Sequence, residues 1–140
     1  MKIALAVDGS VYTKRMLSYI AAHDELLSAA NEFLALNVTP KIPPRPARFV
    51  GHDVLSRYYE EEREKVLRPV RAFAQMQGWN FRERHAVGHP AETLAAIMAE
   101  ERPDLLVMGS RGHGAFKSAL LGSVAARLLS HAKVPVLLIR

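Results

Sequence analysis

The sequence predicts a three-layer α/β fold: an open, parallel, five-stranded sheet covered by four helices. Three observations point to it. Short apolar runs bounded by Gly, Pro or Asp alternate with longer stretches of helical periodicity, the mark of repeated strand–helix units. The apolar runs lack strict polar alternation, which suits strands buried on both faces. The chain of 140 residues, 49% apolar and 24% charged, is long enough for a real core and reads as one domain, residues 1–140.

The first strand is residues 2–7 (KIALAV), closed by Asp8-Gly9-Ser10. Residues 13–28 place Met16, Leu17, Ile20 and Ala21 at helical spacing. Residues 33–38 form the second strand. Pro40, Pro43, Pro44 and Pro46 follow, and such a stretch predicts a stiff loop rather than a helix or central strand. Residues 50–77 carry the longest helical pattern, with Pro69 expected to kink or divide it. Residues 81–87 alternate in part and are charged, which marks an edge strand. Pro90 suits the first turn of the next helix, and Glu92 opposes its dipole. Residues 105–108 (LLVM) read as the fourth strand, residues 123–131 as the last helix and residues 134–139 (VPVLLI) as the final strand.

The richest stretch is residues 105–124, LLVMGSRGHGAFKSALLGSV. Gly109, Gly112 and Gly114 follow the strand, and Gly122-Ser123 precedes a helical run. Glycines at a strand end let the backbone approach a ligand without a Cβ in the way. Ser123 reads as the helix N-cap, and the helix start offers unpaired N–H groups and a positive dipole end. Together these make a phosphate site. Two commoner motifs do not fit. A P-loop needs Lys-Ser/Thr directly after its second glycine, and Ala115-Phe116 intervenes before Lys117-Ser118. A dinucleotide fingerprint needs a third glycine where Lys117 stands.

The spacing Gly109-x2-Gly112-x9-Gly122-Ser123 resembles the nucleotide signature of the universal stress protein family, in its ATP-binding branch. The segments IALAVDGS at 3–10, GHPAE at 88–92 and VPVLLI at 134–139 resemble the family's first strand, third-helix entry and last strand. Only residues 40–75 lack a family-like motif. The resemblance implies an adenine nucleotide alpha hydrolase-like sheet of order 3-2-1-4-5. Strands one and four are then neighbours whose connections leave in opposite directions, and ligands bind at such a switch point.

Carried over residue by residue, the resemblance implies these nucleotide-binding roles. Asp8 would accept hydrogen bonds from the ribose hydroxyls; the alternative is a helix-entry residue that steadies the following turn. Ala6 and Val7 would offer backbone and apolar contact to the adenine. Val38 would pack the ring and Met108 cover its edge, with plain core residues as the alternative. Gly109 and Gly112 would bring N–H groups to the phosphates, and Gly122, Ser123 and Val124 would complete the cradle. Arg111, and after it Lys117, would contact a phosphate or face solvent. The implied ligand is ATP, with Mg²⁺ riding on the phosphates and few protein ligands of its own.

No protein-held metal or catalytic centre is expected. Cysteine is absent. His85 and His89 straddle a strand end, not a helix, so they do not make a zinc pair. His113 has no sequence-local carboxylate partner and reads as a surface loop residue. No nucleophile–base pair stands out. The expected role is a nucleotide-dependent regulatory or stress-response module; the alternative is a slow ATPase or nucleotidyl-handling enzyme. The charge of +5, from 19 Lys+Arg against 14 Asp+Glu, is scattered, which argues solubility and mild anion attraction over a nucleic-acid face. No stretch approaches the ~20 apolar residues of a membrane span, no signal peptide is recognised, and cytoplasm is the default. No membrane partner is expected. The last strand, opening on Val134 and closing on Ile139, would be an uncovered sheet edge, which predicts a twofold homodimer through that strand.

Overall fold

A computed structural model of the chain describes residues 1–114 and 120–140. The elements run β1 (Lys2–Ala6), α1 (Val11–Ala22), β2 (Glu32–Pro40), α2 (Pro44–Arg48), α3 (His52–Met76), β3 (Asn80–Gly88), α4 (Pro90–Glu101), β4 (Leu105–Gly109), α5 (Ser123–His131) and β5 (Val136–Ile139). The strands form one parallel sheet in the order β3-β2-β1-β4-β5. Both the fold class and the strand order agree with expectation. No helix among the described residues is long and apolar enough to cross a membrane.

The apolar runs become central strands because both of their faces are covered. On one face Ile3, Leu5, Phe33 and Val107 pack with Met16 and Ile20 of α1 and with Leu67 and Val70 of α3. On the other Ala4, Leu34, Leu36 and Leu106 pack with Leu94 and Ile97 of α4 and with Leu128 of α5. Phe33 is fully buried and stacks on Trp79 at 4.3 Å between ring centroids. The charged strand β3 is an edge, as its composition requires. Its charged side chains pair with the flanking helices: Arg82 and Arg84 with Glu101 of α4, and Glu83 with Arg71 of α3.

Three expectations need correction. Five helices are present among the described residues, not four, because the proline stretch contains α2. Pro43 is its N-cap and Pro44 its first residue. These prolines sit in the first turn, where a missing N–H forfeits no intrahelical bond. Pro69 does not divide α3, which runs unbroken over 25 residues. Pro69 and Lys65 are both exposed, so the Lys65 carbonyl that loses its partner faces water. Finally, Gly122 and not Ser123 is the N-cap of α5; Ser123 is the first helical residue.

Candidate functional site

The cleft opens where β1 and β4 lie side by side and their chains depart to opposite faces of the sheet, α1 to one and α5 to the other. Its volume is about 490 Å³, within the range of small-molecule sites. All eleven residues singled out from sequence line it: Ala6, Val7, Asp8, Val38, Met108, Gly109, Arg111, Gly112, Gly122, Ser123 and Val124.

The cleft has two lobes, set by the strand alternation of β2. Val38 follows Leu34 and Leu36 onto the α4/α5 face, where Ala6, Leu94, Met108 and Val124 make an apolar lobe. Asn37 and Thr39 follow Phe33 and Ala35 onto the α1/α3 face. There, with Thr13, Glu62, Lys65 and Val66, they line a polar lobe.

At the apolar lobe the backbone of β2 outruns its neighbour. Pairing with β1 ends at Ala6 opposite Leu36, with one further bond from the Val7 N–H to the Leu36 carbonyl at 2.9 Å. Leu36 therefore turns its polar backbone atoms toward β1, and Val38, two residues on, turns its own the same way. By then β1 has ended, so the Val38 N–H and C=O face the cleft. Both backbone groups of Val7, for which a contact to the base was expected, already have protein partners. Its N–H is held by Leu36, and its carbonyl accepts the Asn37 Nδ2–H at 2.9 Å.

The glycines are explained by protein neighbours more than by ligand space. A Cβ on Gly109 would meet Tyr12 Cβ of α1 at 2.5 Å, and one on Gly112 would collide with Asp8 Oδ2. A Cβ on Gly122 would lie 3.2 Å from Arg111 Cα. The motif thus lets α1, the end of β1 and the two halves of the loop close on one another. The Gly122 N–H donates to the Ser110 carbonyl at 2.7 Å, so this amide is not available to a phosphate. Helix bonding in α5 begins with the Ala126 N–H to the Gly122 carbonyl at 2.9 Å. The amides of Ser123, Val124 and Ala125 are left without intrahelical partners, at the positive end of the helix.

Asp8 sits between the lobes, half-buried. Its Oδ1 accepts the Ser10 N–H at 2.9 Å and the Thr13 hydroxyl at 3.1 Å. The Thr13 oxygen in turn accepts the N–H groups of Asp8 and Gly9 at 3.1 and 3.2 Å. Oδ1 therefore steadies the turn into α1, and Oδ2 lies toward Gly112. His113 is exposed, and its Nε2 pairs with the Asp8 carbonyl oxygen at 2.8 Å, tying the glycine loop to the end of β1. Arg111 lines the cleft from the same loop. Lys117 lies outside the described residues.

Thr13, Asn37, Thr39 and the α3 wall escaped the sequence reading. One signal was available: Asn37 is a lone polar residue inside an apolar strand, and it is 97% buried, being only 3% exposed. Its Oδ1 has no hydrogen-bond partner. Thr39 pairs with His85 Nε2 at 2.8 Å. Burial, and secondarily the Arg63 charge, hold the His85 pKa below its ordinary value, so that ring is neutral at pH 7. Among the described residues no group of three His, Asp or Glu could hold a metal ion. Among the described residues, Asp8 is the carboxylate that lies against the glycine loop.

Residues 1–140 match the family model described as "Universal stress protein family". A universal stress protein of Thermus aquaticus is 32% identical over 140 residues, covering 99% of this chain and 97% of that one. Among solved structures, the protein MJ0577, from Methanocaldococcus jannaschii, superimposes with a TM-score of 0.83 at 25% identity, covering 99% of this chain and 94% of that chain. A universal stress protein family member from Arabidopsis thaliana, solved with AMP bound, has a TM-score of 0.70 at 21% identity and covers 99% and 90%.

Proposed function

The chain belongs to the universal stress protein family, and from that premise we propose that its cleft binds an adenine nucleotide and that the protein acts as a nucleotide-dependent regulatory module in stress response. The observation that carries this reading is the pairing of two sets of backbone groups across one cleft. At one end, the Val38 N–H and C=O stand in an otherwise apolar lobe. A donor beside an acceptor matches an adenine edge, which offers a ring nitrogen acceptor beside the N6 amino donor; guanine offers the reverse at its O6 and N1. At the other end, the Ser123, Val124 and Ala125 amides suit a phosphate. Between them Asp8 Oδ2 accepts from the ribose.

AMP in the Arabidopsis protein supports the adenine class. The amides at α5 and Arg111 favour ATP, with magnesium carried on its phosphates. The expected setting is the cytoplasm.

A homodimer through β5 goes with this reading. Leu106 N–H donates to the Pro135 carbonyl and Ser110 N–H to the Ile139 carbonyl. Residues 135, 137 and 139 thus face β4, and the backbone of Val136 and Leu138 faces outward along an unpaired edge, ready to pair with a second copy. The test of the nucleotide reading is calorimetry with ATP, AMP and GTP, magnesium present. Micromolar binding of the adenine compounds, with GTP at least tenfold weaker, is the expected result. No heat from any adenosine phosphate would overturn the reading.

A further inference from the structure

The polar lobe on the α1/α3 face has no part in holding the base or the 5′ phosphates. Its outer wall is one side of α3. Glu62 and Lys65 are nearly a turn apart, both line the cleft, and their charged atoms lie 3.5 Å apart. Val66, next along, closes the wall onto the end of β1: a Cβ on Gly9 would lie 3.3 Å from Val66 Cγ2.

The pose proposed above fixes what this wall would meet. With the base in the apolar lobe, the 5′ phosphates at α5 and the ribose on Asp8, the 2′ and 3′ edge of the sugar turns toward the polar lobe. Among the described residues, the charges lining that edge are Asp8, Glu62 and Lys65. Arg63 is held by Glu60 and Glu83 and does not line the cleft. Arg111 belongs to the glycine loop on the phosphate side. Among the described side chains, two carboxylates against one ammonium leave the lobe with one net negative charge.

We propose that the Glu62–Lys65 wall of α3 selects nucleotides whose 2′ and 3′ hydroxyls carry no phosphate. The inference rests on the nucleotide reading above. A free diol carries no charge, and its O–H donors go to Asp8. A phosphate at the 3′ position offers only acceptors and brings a like charge close to Asp8 and Glu62. Across a partly exposed cleft, one such repulsion changes affinity by about five- to tenfold. Lys65 offsets part of Glu62 but not both acids.

The test is calorimetry at 0.15 M salt with AMP, 3′,5′-cyclic AMP and adenosine 3′,5′-bisphosphate as probes. The wild type should bind AMP at least tenfold more tightly than the bisphosphate, with cyclic AMP between them. Glu62→Gln should narrow the AMP-to-bisphosphate ratio by about fivefold, and Lys65→Gln should widen it by about as much. AMP affinity itself should move less than threefold in both variants, and melting curves should show both folded. A ratio that stays fixed in both variants, or moves the same way in both, overturns the inference and leaves the nucleotide reading standing. A wild type that fails to bind AMP overturns both.

Discussion

Gly112→Ala isolates the contact between the glycine loop and Asp8. Positive φ values among the glycines belong only to Gly9 and Gly78, so alanine at 112 introduces no backbone strain. The new methyl would, however, fall on Asp8 Oδ2. The carboxylate must rotate, and the bonds from Oδ1 to the Ser10 N–H and the Thr13 hydroxyl, at 2.9 and 3.1 Å, must bend with it. A hydrogen bond to a charged acceptor contributes about 1.5–3 kcal/mol. With two such bonds weakened but not lost at a half-buried site, the expected loss is about 2 kcal/mol, or roughly 6–8 °C in Tm for a domain of this size. Displacement of Oδ2 should also cost at least tenfold in AMP affinity, about 1.4 kcal/mol. Gly114→Ala is the internal control, because a Cβ there meets nothing within 4 Å; it should change stability by less than about 0.5 kcal/mol. Urea denaturation and AMP calorimetry read both quantities. If the two variants match each other in stability and in affinity, the packing argument for Gly112 is wrong.

The dimer is checked by Leu138→Pro. The lost N–H faces away from β4, and proline is tolerated on an edge strand. Light scattering at micromolar concentration should show the wild type as a dimer and the variant as a folded monomer; a monomeric wild type would remove the β5 interface. Acid stability has its own probe in Glu101, which meets Arg82 at 2.8 Å and Arg84 at 3.0 Å. The Arg82 hydrogen bond, followed by the smaller contribution of Arg84, lowers its pKa to about 2. A depressed carboxylate adds stability above its unfolded pKa, and that stability is lost as pH falls through the folded one. Glu101→Gln should therefore be about 1 kcal/mol less stable than wild type at pH 7. The gap should close between pH 4.5 and pH 2. A gap that persists at pH 2 would assign the loss to packing.

Much of this molecule is legible from its residues. The runs at Ile3, Phe33 and Leu105 announce buried strands because both faces of a central parallel strand are apolar. The Gly109-to-Ser123 spacing and Asp8 mark the two chain segments that meet at the cleft. Other features depend on partners distant in sequence. Nothing local says that Gly112 is glycine because Asp8 lies over it, 104 positions earlier, or that the Val7 backbone is claimed by Leu36 and Asn37. The misread prolines have a local cause: Pro44 is harmful inside a helix and harmless in its first turn, and only the position of the cap decides which applies. The α3 wall lies within the one region, residues 40–75, that carries no motif, so Glu62 and Lys65 looked like any solvated helix face.

From Pro40 to Val66 not one residue is buried, although most of this stretch is helical. Phe49 is 91% exposed there, and the anchoring side chains of α3 begin only at Leu67. The front of this helix can therefore fray, or be cut, while the sheet beneath stays shut. A protease at low dose should nick here first. It is also where extra chain could be spliced in without asking the interior to rearrange.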